Sequence, residues 1–136
     1  MKKRIEAAGT VMEFGGQVLM LCRDLKKAHG GEWGFPGGKV EGNESPSVAV
    51  ARELFQETGY VAVPSELEFV DTFIFEFPEH ITNYHAFRIV LKGEVAVKIN
   101  NAEHSEFLWL SPKDCHNKPG AMLGVKEIIE KIYGQL

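Results

Sequence analysis

The chain has 136 residues, a length that suits one domain, so residues 1–136 are expected to form a single folding unit. Hydrophobic residues make up 44% and charged residues 25%, the balance of an ordinary soluble globular protein, and no apolar run approaches the roughly 18 residues needed to span a bilayer. The net charge of −4 argues against a general binder of nucleic acid polymers, whose affinity comes mainly from Lys and Arg neutralising phosphates. Met1-Lys2-Lys3-Arg4 leads straight into a polar, mixed stretch, so no signal peptide is expected and the cytoplasm is the default compartment. Cys22 and Cys115 are too few for a disulfide framework and read as reduced thiols.

In chain order, residues 5–13 and 17–23 are strand-like and flank Phe14-Gly15-Gly16, which reads as a hairpin. A polar loop over 24–32 precedes Trp33-Gly34-Phe35-Pro36-Gly37-Gly38. A helix is expected from about Pro46 to Thr58, with Ser45 as N-cap, Pro46 in the first position and Gly59 just past the end. Val48, Ala51, Leu54 and Phe55 are read as its core-facing stripe, with Glu53, Gln56 and Glu57 largely on the other side. Residues 67–77 and 83–92 suggest a second pair of long strands, and 106–110 a short one. Residues 121–133 have the spacing of an amphipathic helix, with Met122, Val125, Ile128, Ile129 and Ile132 inward. The pattern as a whole is a mixed α/β sheet with helices on its faces.

The chemistry concentrates between Gly38 and Tyr60. Glu53 and Glu57 stand four apart on one helix, where like charges cost about 0.2–0.5 kcal/mol, and Glu44 adds a third carboxylate from the preceding loop. A divalent cation would neutralise this cluster, and hard cations such as Mg²⁺ are commonly held by carboxylates together with substrate phosphates. The overall acidity would repel a nucleotide unless metal ions occupied the cluster. The residues therefore point to a metal-dependent site for a phosphorylated ligand.

Gly38, Glu44, Arg52, Glu53, Leu54, Glu57 and Gly59 fall at the spacings of the Nudix box, so that 38–60 resembles that motif at seven specified positions over 23 residues. Two positions depart from it: Tyr60 replaces an aliphatic residue, and Gln56 stands where the pattern has the first of two adjacent glutamates. The resemblance implies an α/β/α sandwich with a mixed sheet, a Mg²⁺ or Mn²⁺ cofactor, and a nucleotide substrate. Within the family the chain looks like the MutT-like nucleoside triphosphate pyrophosphohydrolases, which implies hydrolysis of a nucleoside triphosphate, or a related nucleoside diphosphate derivative, to the monophosphate and pyrophosphate.

Carried over residue by residue, the resemblance implies metal ligation by Gly37, Glu53, Gln56, Glu57 and Glu103, with catalysis by Glu53, Arg52, Glu44 and Glu103. Glu53 is also a candidate general base, with the Glu that takes the proton left open, and Arg52 would orient the carboxylates through its planar guanidinium. Glu106 is an alternative to Glu103. Arg23 and Phe35 match positions that contact the base in MutT relatives, and both residue types stack on nucleobases; Lys39 is placed to reach a phosphate. Pro78-Glu79-His80 lacks an Arg that those relatives carry, and Asn117 has no assured alignment with their base-reading Asn.

Three explanations of Gln56 stay open: a native enzyme that manages with other carboxylates, a deliberate Glu→Gln variant, or a relative with little turnover that serves as a nucleotide sensor. A sugar-nucleotide or dinucleotide pyrophosphatase is a further alternative, and a homodimer is left open. The five histidines, His29, His80, His85, His104 and His116, show no ligand spacing and are read as surface or satisfied core residues.

Overall fold

The strands expected on either side of Phe14-Gly15-Gly16 form a hairpin in the computed structural model, which describes residues 1–136. Strand β1 covers Lys3–Phe14 and β2 covers Gln17–Arg23, but they pair only at the turn, Glu13 with Val18 and Phe14 with Gln17. Away from the turn, β1 is flanked by two other strands. On one side it meets β4 (Gly37–Lys39) antiparallel; on the other it runs parallel to β6 (His80–Val90) from Lys3↔His80 to Glu13↔Val90.

The remaining strands complete a seven-stranded mixed sheet. Strand β3 (Trp33–Gly34) and strand β7 (His104–Leu110) both pair with β2, and β5 (Glu68–Glu76) forms the far edge beside β6. Helix α1 (Pro46–Thr58) packs on one face, where Val50 and Leu54 join Ala8, Met12, Leu19, Leu21, Phe87 and Ile89. Helices α2 (Pro112–His116) and α3 (Val125–Tyr133) cover the other face, where Cys115, Val125, Ile128 and Ile129 meet Val11, Val18, Met20 and Ala86. Two apolar clusters on opposite faces of one sheet make the three-layer α/β/α arrangement.

Helix α1 has the bounds its end signals imply. The Ser45 hydroxyl accepts the Val48 N–H, and Gly59 closes the helix at φ 81°, a left-handed conformation suited to a residue without Cβ. Its facing corrects the sequence reading. Val48 and Phe55 are 43% and 59% exposed, whereas Glu57 is 3% exposed beside buried Ala49, Val50, Leu54 and Thr58. Val48 and Phe55 are seven apart and share the outward face; Val50, Glu53, Leu54 and Glu57 follow the i, i+3, i+4, i+7 stripe that meets the sheet. Apolarity thus misplaced the stripe by about a third of a turn, with Leu54 common to both. Residues 121–124 also lie outside α3, and α2 carries no strong periodic signal, with only five residues.

Candidate active site

The site begins with a crossing of backbones that only small residues permit. At Gly37 an added Cβ would lie 2.4 Å from the Ala8 carbonyl oxygen and 2.6 Å from the Gly9 Cα. At Gly38 it would lie 2.7 Å from the Glu53 carboxyl group. Strand β4 can therefore press between β1 and α1, and it brings its backbone directly against the helix carboxylates. The Gly37 N–H donates to Glu57 Oε1 at 2.8 Å.

Arg52 ties the loop after β4 to the helix. Its Nε and Nη2 grip Glu44 at 2.7 and 2.9 Å, Nη2 also donates to the Lys39 carbonyl at 3.0 Å, and Nη1 donates to Glu53 Oε1 at 2.8 Å. This two-pronged bond, followed by the Glu41 N–H, holds the Glu44 carboxyl down at about 2. Glu44 is consequently engaged by Arg52 in a structural clamp. Gln56 is exposed and accepts a longer bond, 3.3 Å, from Arg52 Nη1.

Glu53 and Glu57 behave oppositely to Glu44. Burial raises the Glu57 carboxyl well above the ordinary carboxylate range; the Gly37 N–H opposes this, while Glu53 and Glu103 push it further up. Burial likewise raises Glu53, against the bond from Arg52 and with repulsion from Glu103. Three carboxylates on two elements thus crowd one partly dry space, and only one guanidinium bears on them.

Glu103 arrives from a turn ahead of β7. Asn100 holds that turn: its Oδ1 accepts the Ala102 N–H at 3.0 Å, and its carbonyl accepts the Glu103 and His104 N–H groups, each at 2.9 Å. One ligand atom each from Glu57, Glu103 and His104 lies within 4.8 Å of the others. Carboxylate oxygens suit a hard divalent cation, and the crowding of Glu57 and Glu103 beside a buried imidazole, with Glu53 next to them, fits such an ion. Glu106 is exposed on β7 and is not part of the group.

Beside the carboxylates opens a cavity of about 460 Å³, within the size range of small-ligand sites. Gly37, Gly38 and Lys39 form its wall on the carboxylate side. Phe35, Phe75, Phe77 and Leu123 supply apolar surface, and Arg23, His80 and Tyr84 supply polar groups. Arg23 Nε donates to the Ala28 carbonyl at 2.9 Å, which fixes its guanidinium plane. Lys39 is exposed at the rim.

Of the residues singled out from sequence, Arg23, Phe35, Gly37 and Lys39 line the cavity, and Glu44, Arg52, Glu53, Glu57 and Glu103 are grouped against the Gly37–Lys39 segment or one another. Phe75, Phe77, Tyr84 and His104 were not singled out as members of the site. The alternation of residues 67–77 could have flagged the aromatics, and the Glu103-His104 pair could have flagged the imidazole. His104 also corrects the general reading of the histidines: it is buried, and its Nδ1 has no hydrogen-bond partner. Burial lowers its pKa, Arg23 lowers it further, and Glu103 opposes them.

The family model described as NUDIX domain matches residues 2–132. The chain belongs to the Nudix hydrolase family. It is 42% identical over 83 residues to an 8-oxo-dGTP diphosphatase of Proteus vulgaris, covering 60% of this chain and 72% of that protein. It is 31% identical over 117 residues to a CTP pyrophosphohydrolase of Escherichia coli K12, covering 86% and 83% of the two chains. The crystal structure of a MutT protein from Methanosarcina mazei Go1 superposes with a TM-score of 0.84 at 26% identity, over 96% of this chain and 93% of that one. The Nudix enzyme described here is MutT-like, with the box in β4, the following loop and α1. No helix in it is long and apolar enough to cross a membrane.

Proposed function

We propose that this Nudix enzyme hydrolyses a nucleoside triphosphate to the nucleoside monophosphate and pyrophosphate. The observation that carries the proposal is the convergence of Glu53, Glu57 and Glu103 next to the Gly37–Lys39 wall of a 460 Å³ cavity that is lined in part by aromatic side chains. The relatives named for 8-oxo-dGTP and for CTP support a triphosphate substrate.

In this reading Mg²⁺ or Mn²⁺ would be held by Glu53, Glu57, Glu103 and the Gly37 carbonyl, with Gln56 at the margin. Bound there, the ion would offset phosphate charge and polarise the attacked group. The protein's own tasks follow from its geometry. The base and sugar would lie against Phe35 and Arg23, and Lys39 would meet a phosphate at the rim.

Water attacks one phosphorus as the bridging P–O bond breaks, and the leaving oxygen carries the electron pair away with pyrophosphate. The water proton passes to the Glu53 carboxylate. Arg52 holds one Glu53 oxygen; the other would face both the metal and the attacking water. Arg52 and Glu44 act as positioning residues, since they reach the reaction only through Glu53 and the loop.

The test is a panel of nucleoside triphosphates, sugar nucleotides and dinucleotides incubated with Mg²⁺ or Mn²⁺ and assayed for pyrophosphate and monophosphate. Pyrophosphate from a triphosphate, abolished by chelator and by Glu53→Gln, is expected. Gln56→Glu should raise the rate. Products from dinucleotides or sugar nucleotides alone would refute the substrate class.

A further inference from the structure

We infer that His104 is a direct ligand in a divalent-metal site shared with Glu57 and Glu103, so that the bound ion has a nitrogen donor beside its carboxylate oxygens. The inference rests on the functional reading above and names the character of its metal. Two independent observations carry it. The three side chains place one ligand atom each within 4.8 Å of one another. Separately, His104 is only 5% exposed, yet its Nδ1 is enclosed without any hydrogen-bond partner.

An enclosed imidazole nitrogen without a partner is costly, and native proteins leave few such groups unsatisfied. The other internally bonded histidines show the contrast. His85 bonds Glu6 through Nε2 at 2.8 Å and Thr72 through Nδ1 at 2.9 Å. His116 bonds Glu130 through Nε2 at 2.7 Å and Asn117 through Nδ1 at 3.3 Å. His104 alone among these three has an idle nitrogen, and it stands beside an acidic cluster.

Consecutive residues in a regular strand point to opposite faces, so Glu103 and His104 should not converge. They do because Glu103 lies in the turn before β7 and escapes that alternation, while β7 is itself irregular where it begins. Cys22 pairs with Glu106 while Arg23 pairs with His104, which leaves Ser105 as an extra residue in the ladder. Such a bulge re-aims side chains. The Asn100 turn and the bond from the Asp24 N–H to the Glu103 carbonyl, 2.8 Å, then hold the pair in place.

The donor set has a chemical consequence. Oxygen donors suit Mg²⁺, whereas imidazole favours transition metals, and affinity rises along the series from Mn²⁺ through Co²⁺. The site should therefore prefer Mn²⁺ or Co²⁺ to Mg²⁺ by more than a purely carboxylate site would.

Pulsed electron paramagnetic resonance of the Mn²⁺-loaded protein reads this directly, without turnover. The expected spectrum shows the ¹⁴N coupling of a coordinated imidazole, and His104→Ala abolishes it. That variant should weaken Mn²⁺ at least about 10-fold, since loss of even an outer partner of a ligand costs 10–100-fold, and should weaken Mg²⁺ less. The wild-type spectrum decides the question even if His104→Ala folds poorly, and His104→Asn serves as a second variant. Mn²⁺ bound through Glu53 and Glu57 with no ¹⁴N coupling, or a coupling that survives His104→Ala, overturns the inference and leaves the functional reading intact. No bound Mn²⁺ at all overturns both.

Discussion

Replacing Glu57 by Gln should stabilise the metal-free protein and abolish its response to metal. In the wild type, a carboxylate that is 3% exposed has a single backbone donor, Gly37, and faces Glu53 and Glu103. The amide of Gln keeps an acceptor for that donor and carries no acidic proton, so it avoids the cost of holding a buried carboxyl protonated above its ordinary pKa. Leaving a buried polar group under-satisfied costs about 1–3 kcal/mol. At about 4 °C per kcal/mol for a chain of this size, the variant should melt about 4–12 °C higher in chelator at pH 7.5.

The pH dependence has a definite sign. The folded-state pKa of Glu57 lies above its unfolded value, so stability is intact below the ordinary carboxylate range and declines as pH rises through the elevated folded pKa. The gap between variant and wild type should therefore close toward pH 4 and widen toward pH 8. Mn²⁺ at about 100 times its dissociation constant should add about 2.7 kcal/mol to the wild type and far less to the variant, which closes most of the gap or reverses their order. Melting curves by circular dichroism, with chelator and with Mn²⁺, measure all of this. A variant that melts lower than wild type in chelator, or gains equally from Mn²⁺, would refute the reasoning.

Three further outcomes follow from other parts of the molecule. Arg52→Lys keeps the charge but loses the fork on Glu44 and the bond to the Lys39 carbonyl; kcat should fall about 100-fold through misplacement of Glu53 and the loop, while urea unfolding shows a loss of about 1 kcal/mol. Gly9→Ala places a methyl group 1.9 Å from the Tyr84 hydroxyl oxygen and 2.8 Å from the Pro36 carbonyl oxygen, so it should destabilise by about 1–3 kcal/mol and raise KM. Adding Tyr84→Phe should recover part of both losses. Glu13 is held below the usual carboxylate range because bonds from Arg88 and Tyr133 outweigh its burial. Its contribution is present above the ordinary carboxylate pKa and lost as pH falls, so urea midpoints of wild type and Glu13→Gln should differ at pH 6 and converge near pH 3.

The end signals of α1 and the spacing of the box were readable because they are local: Ser45, Pro46 and Gly59 act within one turn of the helix they bound. The mixed sheet with helices on both faces was legible as a class. The parallel pairing of β1 with β6 was not, because it joins residues such as Ala8 and His85 that no turn brings together. The facing of α1 was misread because hydropathy assigns Phe55 inward and Glu57 outward. The sheet instead takes Glu57, because the small residues at Gly37 and Gly38 let β4 come close enough to meet it. His104 escaped notice because its aim depends on a bulge against β2, a feature of pairing rather than of composition.

Diffraction at the manganese edge from crystals soaked in Mn²⁺ and a non-hydrolysable nucleoside triphosphate tests the central claim most directly. An anomalous peak bridging the triphosphate and the Glu53, Glu57 and Glu103 side chains, with the base against Phe35 and Arg23, is the expected result. A nucleotide seated in that cavity with no manganese on those carboxylates, or manganese bound elsewhere on the protein, would contradict the account.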